Sequence, residues 1–171
     1  VDVVTSEFEN VPSETMSHLA KYCSVSPGLN ALHIAQHRIR EKNFARTLGI
    51  NTPDFWHITD SKSLYSAMAE LQGPGVLKTC QLGYDGKGQV WIDPGDNLDA
   101  CFASLNSNDA ILEAVVNFEA EVSFLLARNI DGLITHFPVS HNTHKNGILM
   151  RSIAPANLSE NQLKSGQKAV E

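Results

Sequence analysis

The segment from Val76 to Asp93 limits the fold of this chain more than any other. Val76-Leu77-Lys78-Thr79 reads as a strand, Gly83-Tyr84-Asp85-Gly86-Lys87-Gly88 as a glycine loop, and Gln89-Val90-Trp91-Ile92-Asp93 as a returning strand. Glycines at 83, 86 and 88 let the backbone take positive φ and bring its N–H groups against an anion, while Lys78 and Lys87 supply an ammonium at either end. The order of elements excludes the commoner phosphate loops. Gly83 and Gly88 have Walker spacing, but Gln89 stands where the lysine belongs. The run is G-x-x-G-x-G ahead of a strand, the reverse of a dinucleotide fingerprint ahead of a helix. Two readings remain, a hairpin flap that closes over phosphates and a plain β-hairpin with glycines in its turn.

At 171 residues the chain can hold one good core or parts of two domains. It is 42% hydrophobic, with no apolar run near the roughly 18 residues of a membrane span and no basic-then-apolar leader. A soluble, cytoplasmic protein without a membrane partner is expected. The net charge of -6 argues against nucleic acid as a partner. Cys23, Cys80 and Cys101 are odd in number and widely spaced, without C-x-x-C, and read as reduced bystanders rather than a disulfide framework or a zinc site. The chain opens on Val1-Asp2-Val3-Val4-Thr5, which reads as a buried parallel strand. It closes on a helix with a Ser159/Gln162 capping box, whose Leu163, Gly166 and Val170 face expects partners outside the chain. Both ends read as those of a fragment.

Between them the pattern is α/β and then α+β. A strand over 1–5, a helix over about 13–22 and a short strand before Pro27-Gly28 come first. A single helix is predicted over 30–49, capped by Asn30 and stopped by Gly49. Arg38, Arg40, Lys42 and Arg46 against Glu41 give it a surplus of three positive charges, which suits either an anionic ligand or a solvated face. Further helices are predicted near 61–72 and 97–105, and strands near 110–113, 119–128 and 133–138.

Glu113 ends an apolar strand and precedes Ala114-Val115-Val116, a place for a carboxylate beside backbone that lines an adenine pocket, although strand-end glutamates are commonly surface residues. Glu121, opening the next strand, offers an acceptor for ribose hydroxyls under the same alternative. His141-Asn142-Thr143-His144 has H-x-x-H spacing but no evident third metal ligand, and reads better as a polar active-site loop.

Taken in order, Thr5 to Val11, Ala35-Gln36-His37-Arg38 with Glu41-Lys42, Val76 to Thr79, Gly83 to Gln89, His141 to His144, Gly147-Ile148-Leu149 and Ser152 to Pro155 resemble the 5-(carboxyamino)imidazole ribonucleotide synthases. These are ATP-grasp ligases of bacterial and fungal purine biosynthesis, and the resemblance spans residues 2 to about 156. It implies an ATP-grasp fold divided into the end of an N-terminal α/β (pre-ATP-grasp) domain (1–29), a linking helix (30–53), a small subdomain with the glycine flap (54–138) and the start of the C-terminal half (139–171). It also implies that Arg38 and Lys78 hold ATP phosphates, that Gly83, Tyr84, Asp85, Gly86, Lys87, Gly88 and Gln89 fold over them, and that Glu113, Ala114, Val115 and Val116 form the adenine hinge. Glu121 would bind ribose and His144 would complete the nucleotide site; Tyr84 and Asp85, with Glu7 or Glu9, would face the second substrate. The implied reaction carboxylates 5-aminoimidazole ribonucleotide with bicarbonate through carboxyphosphate, in a homodimer using ATP and Mg²⁺, with metal ligands outside this chain and no ligase activity expected of the segment alone. Another ATP-grasp ligase or carboxylase, such as a formate-using purine enzyme or a biotin carboxylase, and a non-catalytic nucleotide-binding module are the alternatives.

The sequence departs from the family pattern at Leu82, where Gly-Gly-Tyr-Asp-Gly has its first glycine, at His37, where an Asp often precedes the arginine, and at Ser6, where an aromatic is common. Leu82 restricts the flap most.

Overall fold

A computed structural model describes residues 1–83, 87–145 and 147–171, which gather into two compact units, Val1–Val115 and Val116–Glu171. In the first unit, β1 (Val3–Val4) and β2 (Ser24–Val25) pair in parallel around α1 (Ser13–Leu19). The pair is too short to be covered on both faces, so Val3 is exposed where a buried strand was expected.

The helix predicted over 30–49 is two helices, α2 (Leu29–Ala35) and α3 (Arg38–Thr47), and Gly28 rather than Asn30 precedes the first. No breaker residue lies between them. The chain leaves the helix at His37 (φ -140°, ψ 115°) because tertiary bonds hold it there. The Gln36 amide donates to the carbonyls of Glu9 and Val11, His37 Nε2 meets an Asp109 carboxylate oxygen at 3.1 Å, and the Arg38 N–H donates to the Cys80 carbonyl at 3.0 Å.

The core of this unit is an antiparallel sheet in the order β3 (Phe55–Ile58), β6 (Ala110–Ala114), β4 (Gly75–Thr79), β5 (Gln89–Ile92). Helices α4 (Ser61–Leu71) and α5 (Leu98–Leu105) cover it, burying Ile58, Leu64, Leu77, Ile92 and Leu112 together. Both begin as capped helices should, since the Asp60 carboxylate accepts from the Ser63 N–H and the Asn97 side chain from the Ala100 N–H. Strand β6 is central and buried on both faces, so its Glu113 is only 7% exposed. That burial sets the chemistry of the site.

The second unit holds a sheet in the order β11 (Ile148–Ile153), β10 (Ser140–Lys145), β7 (Glu121–Ser123), and a hairpin of β8 (Leu126–Arg128) with β9 (Ile134–His136). The strand expected over 119–128 is thus two, and residues 141–144, expected as a loop, lie within a strand paired on both sides. Helix α6 (Glu160–Val170) carries the Ser159/Gln162 capping box. Its Gly166 lies under the Phe124 ring of the same unit, so part of the face expected to look outward has its partner within the chain. Among the described residues, no helix is long and apolar enough to cross a membrane.

Candidate functional site

The base of the glycine hairpin is closed by the ladder itself. Lys78 pairs with Gln89, and the Thr79 N–H donates to the Gly88 carbonyl at 2.9 Å. Gly88 has φ +70°, and a Cβ there would sit 2.9 Å from Thr79 Oγ1; one on Gly83 would come within 3.2 Å of Arg38 Nη2 and 3.4 Å of the Lys87 carbonyl. Larger residues would push the two arms apart and away from Arg38. Tyr84, Asp85 and Gly86 lie outside the described residues.

Leu82, the departure from the glycine pattern, takes φ +61° and is 67% exposed. A left-handed leucine costs about 1–2 kcal/mol, and glycine gives back about 0.5–1 kcal/mol through unfolded-state entropy. Leu82→Gly is therefore expected to stabilise the chain by up to about 1 kcal/mol, measured as a higher urea midpoint.

Arg38 is placed by the break between α2 and α3. Its backbone N–H bonds to Cys80 and its Nε donates to the Thr79 carbonyl at 3.1 Å, which fixes the guanidinium beside Gly83. A polar cavity of about 160 Å³ opens here, lined by Glu9, Gln36, Arg38, Glu41, Leu82 and Gly83 among others. Both Glu7 and Glu9 are exposed, and of the two Glu9 lines this cavity. A larger cleft, about 390 Å³, lies beside α4 with Trp56, Asp60 and Glu70, away from Arg38 and Lys78.

Glu113 is the electrostatic centre of the first unit. Lys78 Nζ meets one carboxylate oxygen at 2.6 Å and Lys42 Nζ the other at 2.9 Å. Burial raises the Glu113 carboxyl, but the hydrogen bonds and charges of Lys78 and Lys42 outweigh it and hold the group below its ordinary range. Two ammoniums on one carboxylate leave one net positive charge, so Lys78 can engage an anion while Lys42 keeps Glu113 paired.

Sequence reading missed Lys42 because it lay among four basic residues of one helix. Of the other three, Arg38 lies beside Gly83, whereas two have nearby partners: Arg40 Nε donates to the His33 carbonyl, and Arg46 bonds to Thr52 and lies over the Phe55 ring at 4.2 Å. The basic helix is therefore neither wholly a solvated face nor wholly a ligand face. Beyond Glu113, the Ala114 N–H donates to the Asp54 carbonyl and the Val115 N–H to the Pro74 carbonyl, while Val116 is exposed.

In the second unit Glu121 and His144 are brought together, with His144 Nδ1 3.4 Å from Glu121 Oε1. Strand β7 pairs with β10 so that Asn142 faces Glu121, and a bulge between Thr143 and His144 shifts the register of β10 against β11. The buried Asn142 amide donates to Glu121 and Ser123 and accepts from Ser152 at 2.8 Å. Asn142 thus orients Glu121, a role that residue type and spacing alone did not mark.

Residues 43–171 match the ATP-grasp domain family model. The chain is 42% identical over 172 aligned positions to the N5-carboxyaminoimidazole ribonucleotide synthase of Brucella melitensis, covering 99% of this chain and 48% of that protein. With the same enzyme of Pseudomonas aeruginosa it shares 44% identity over 154 positions, covering 90% of this chain and 43% of that protein. Among solved structures, the ADP complex of an N5-carboxyaminoimidazole ribonucleotide synthetase superposes with a TM-score of 0.92 at 37% identity, over 99% of this chain and 45% of its own. The chain spans less than half the length of these relatives. By the family-model match over residues 43–171, most of its length, the chain belongs to the ATP-grasp family.

Proposed function

We propose that the protein to which these residues contribute is a cytoplasmic ligase that uses ATP and bicarbonate to convert 5-aminoimidazole ribonucleotide to 5-(carboxyamino)imidazole ribonucleotide in purine biosynthesis. The observation that carries this reading is a set of cations at the glycine hairpin, Lys78 and Lys42 on the buried Glu113 and Arg38 beside Gly83. The 42% and 44% identical relatives, named for that product, support the choice of substrate. In this reading residues 1–29 end an N-terminal α/β domain, 30–53 link it to the small subdomain at 54–138, and 139–171 begin the C-terminal half.

Arg38 and Lys78 offset charge on ATP phosphates, and Gly83 to Gln89, including Tyr84, Asp85, Gly86 and Lys87, cover them with backbone N–H groups. Glu113 to Val116 receive the adenine, Glu121 the ribose, and His144 the nucleotide beside it. A bicarbonate oxygen takes the γ-phosphoryl group and ADP leaves. The carboxyphosphate then yields its carboxyl carbon to the amine of the ribonucleotide, releasing phosphate as the amine loses its proton. Carboxyphosphate is short-lived in water, so a closing loop that excludes solvent preserves it. Of the two glutamates expected to face the second substrate, Glu9, in the cavity with Arg38, is the one we assign, and Tyr84 and Asp85 join it.

Among the described residues the three-residue His/Cys/Asp/Glu group that the structure gathers is His37, Cys80 and Asp109, a set too soft for Mg²⁺. On family resemblance, the metal that accompanies ATP is assigned to ligands outside this chain, where it would neutralise phosphate charge. A homodimer is proposed on family resemblance.

Full-length protein given ATP, bicarbonate and Mg²⁺ is expected to release ADP at least about tenfold faster when 5-aminoimidazole ribonucleotide is added, a change of about 1.4 kcal/mol in barrier. Release that ignores the ribonucleotide, or that responds instead to biotin or formate, would reject the substrate assignment.

A further inference from the structure

The break between α2 and α3 does more than place Arg38. His37 Nε2, Cys80 Sγ and an Asp109 carboxylate oxygen lie within 4.8 Å of one another, and His57 Nε2 meets the other Asp109 oxygen at 2.8 Å. These residues come from four separate segments, and the backbone ties three of them together. The Arg38 N–H donates to the Cys80 carbonyl at 3.0 Å and the Cys80 N–H to the Asp109 carbonyl at 2.9 Å. Strand pairing of His57 with Ile111 brings the fourth alongside. The donors are thus pre-positioned by main chain, not assembled from mobile surface side chains.

We propose that His37, Cys80 and Asp109, with His57 on the second carboxylate oxygen, form a site for one zinc-class divalent cation. One imidazole, one thiolate and one carboxylate, with a fourth position left open, are a donor set suited to zinc or cobalt and poorly suited to magnesium, and His57 orients the carboxylate from behind. Tetrahedral bonds of about 2.0–2.3 Å set donor atoms about 3.3–3.7 Å apart, so for His37, Cys80 and Asp109 the observed 3.1 Å spacing and the 4.8 Å limit need shifts of about 1 Å.

The Cys80 thiol and the His37 and His57 imidazoles all face the Asp109 carboxylate, and cation binding would release the thiol proton to solvent. The cluster is buried at His37 and Cys80, while Asp109 and His57, each 47% exposed, leave a path for entry. His37 is also where this chain departs from the family pattern, so the site belongs to this chain's own residues. It does not depend on the proposed ligase activity.

Cobalt(II) added to the reduced chain is expected to give a thiolate charge-transfer band in the near ultraviolet that saturates at one equivalent and is displaced by zinc. The band should persist when Cys23 and Cys101 are both changed to alanine and vanish in Cys80→Ser. His57→Ala, at a half-exposed position that the fold tolerates, should weaken cobalt binding about 10–100-fold. A wild-type chain that gives no band, a band kept by Cys80→Ser, or an affinity untouched by His57→Ala would each overturn the assignment.

Discussion

Replacing Glu113 with alanine is expected to cost the fold about 3–5 kcal/mol, read as a fall in the urea midpoint at unchanged m-value, because it leaves two lysines close together in a largely buried place. The carboxylate is 7% exposed and takes Lys78 and Lys42 on its two oxygens, so neither ammonium has an equivalent partner once it is gone. The pH dependence has a definite sign. The folded carboxyl is held below its ordinary value, since the lysines outweigh burial. The unfolded chain therefore takes up the proton first as pH falls. Its contribution is complete above the unfolded value of about 4.3 and is lost as pH drops through the lower folded value. The gap between wild type and Glu113→Ala should accordingly be constant near neutrality and shrink in acid. The triple variant Lys42→Met, Lys78→Met, Glu113→Leu removes the uncompensated charge and should recover most of the lost stability. A triple variant as unstable as the single one would show that packing, not charge, sets the cost.

How legible these features were depends on whether local chemistry or distant partners produced them. The hairpin was legible because valine, glycine and tryptophan at fixed offsets favour strand, turn and strand whatever surrounds them. The Ser159/Gln162 capping box was legible for the same reason. The break at Gln36–His37 was not, because a run of helix formers is interrupted there by bonds to Glu9, Val11, Asp109 and Cys80, residues up to 72 positions away. His141 to His144 were expected as a loop from their polarity. Pairing with β7 and β11 makes them a strand, in which Asn142 is buried and satisfied by neighbouring side chains. Glu113 stood out through its neighbours Ala114, Val115 and Val116 in the chain, but not through its lysine partners, since Lys42 and Lys78 meet only when α3 lies against the sheet. Cys80 looked idle for the same reason; its partners are spread from residue 37 to residue 109.

Lys78→Met is expected to separate function from folding in the opposite sense to Glu113→Ala. Lys42 still pairs with Glu113 at 2.9 Å in this variant, and the methionine stem fills the space of the lysine chain, so no buried charge is left alone. Stability should change by no more than about 1 kcal/mol. In the proposed function the charge removed is the one that meets a phosphate: the three groups together carry a single surplus positive charge, and Lys42 alone neutralises the carboxylate. A preorganised cation aimed at developing phosphate charge contributes about 10²–10³-fold, or roughly 3–4 kcal/mol of barrier, when it is deleted. Full-length Lys78→Met should therefore lose about that factor in kcat/KM for ATP, with its urea midpoint close to wild type. Lys42→Met offers the control: it removes an equal charge from the same carboxylate but leaves Lys78 bound to Glu113, and should lose less activity than Lys78→Met. Equal losses from the two would mean that the pair acts only through its net charge; wild-type activity in Lys78→Met would remove Lys78 from the nucleotide site altogether.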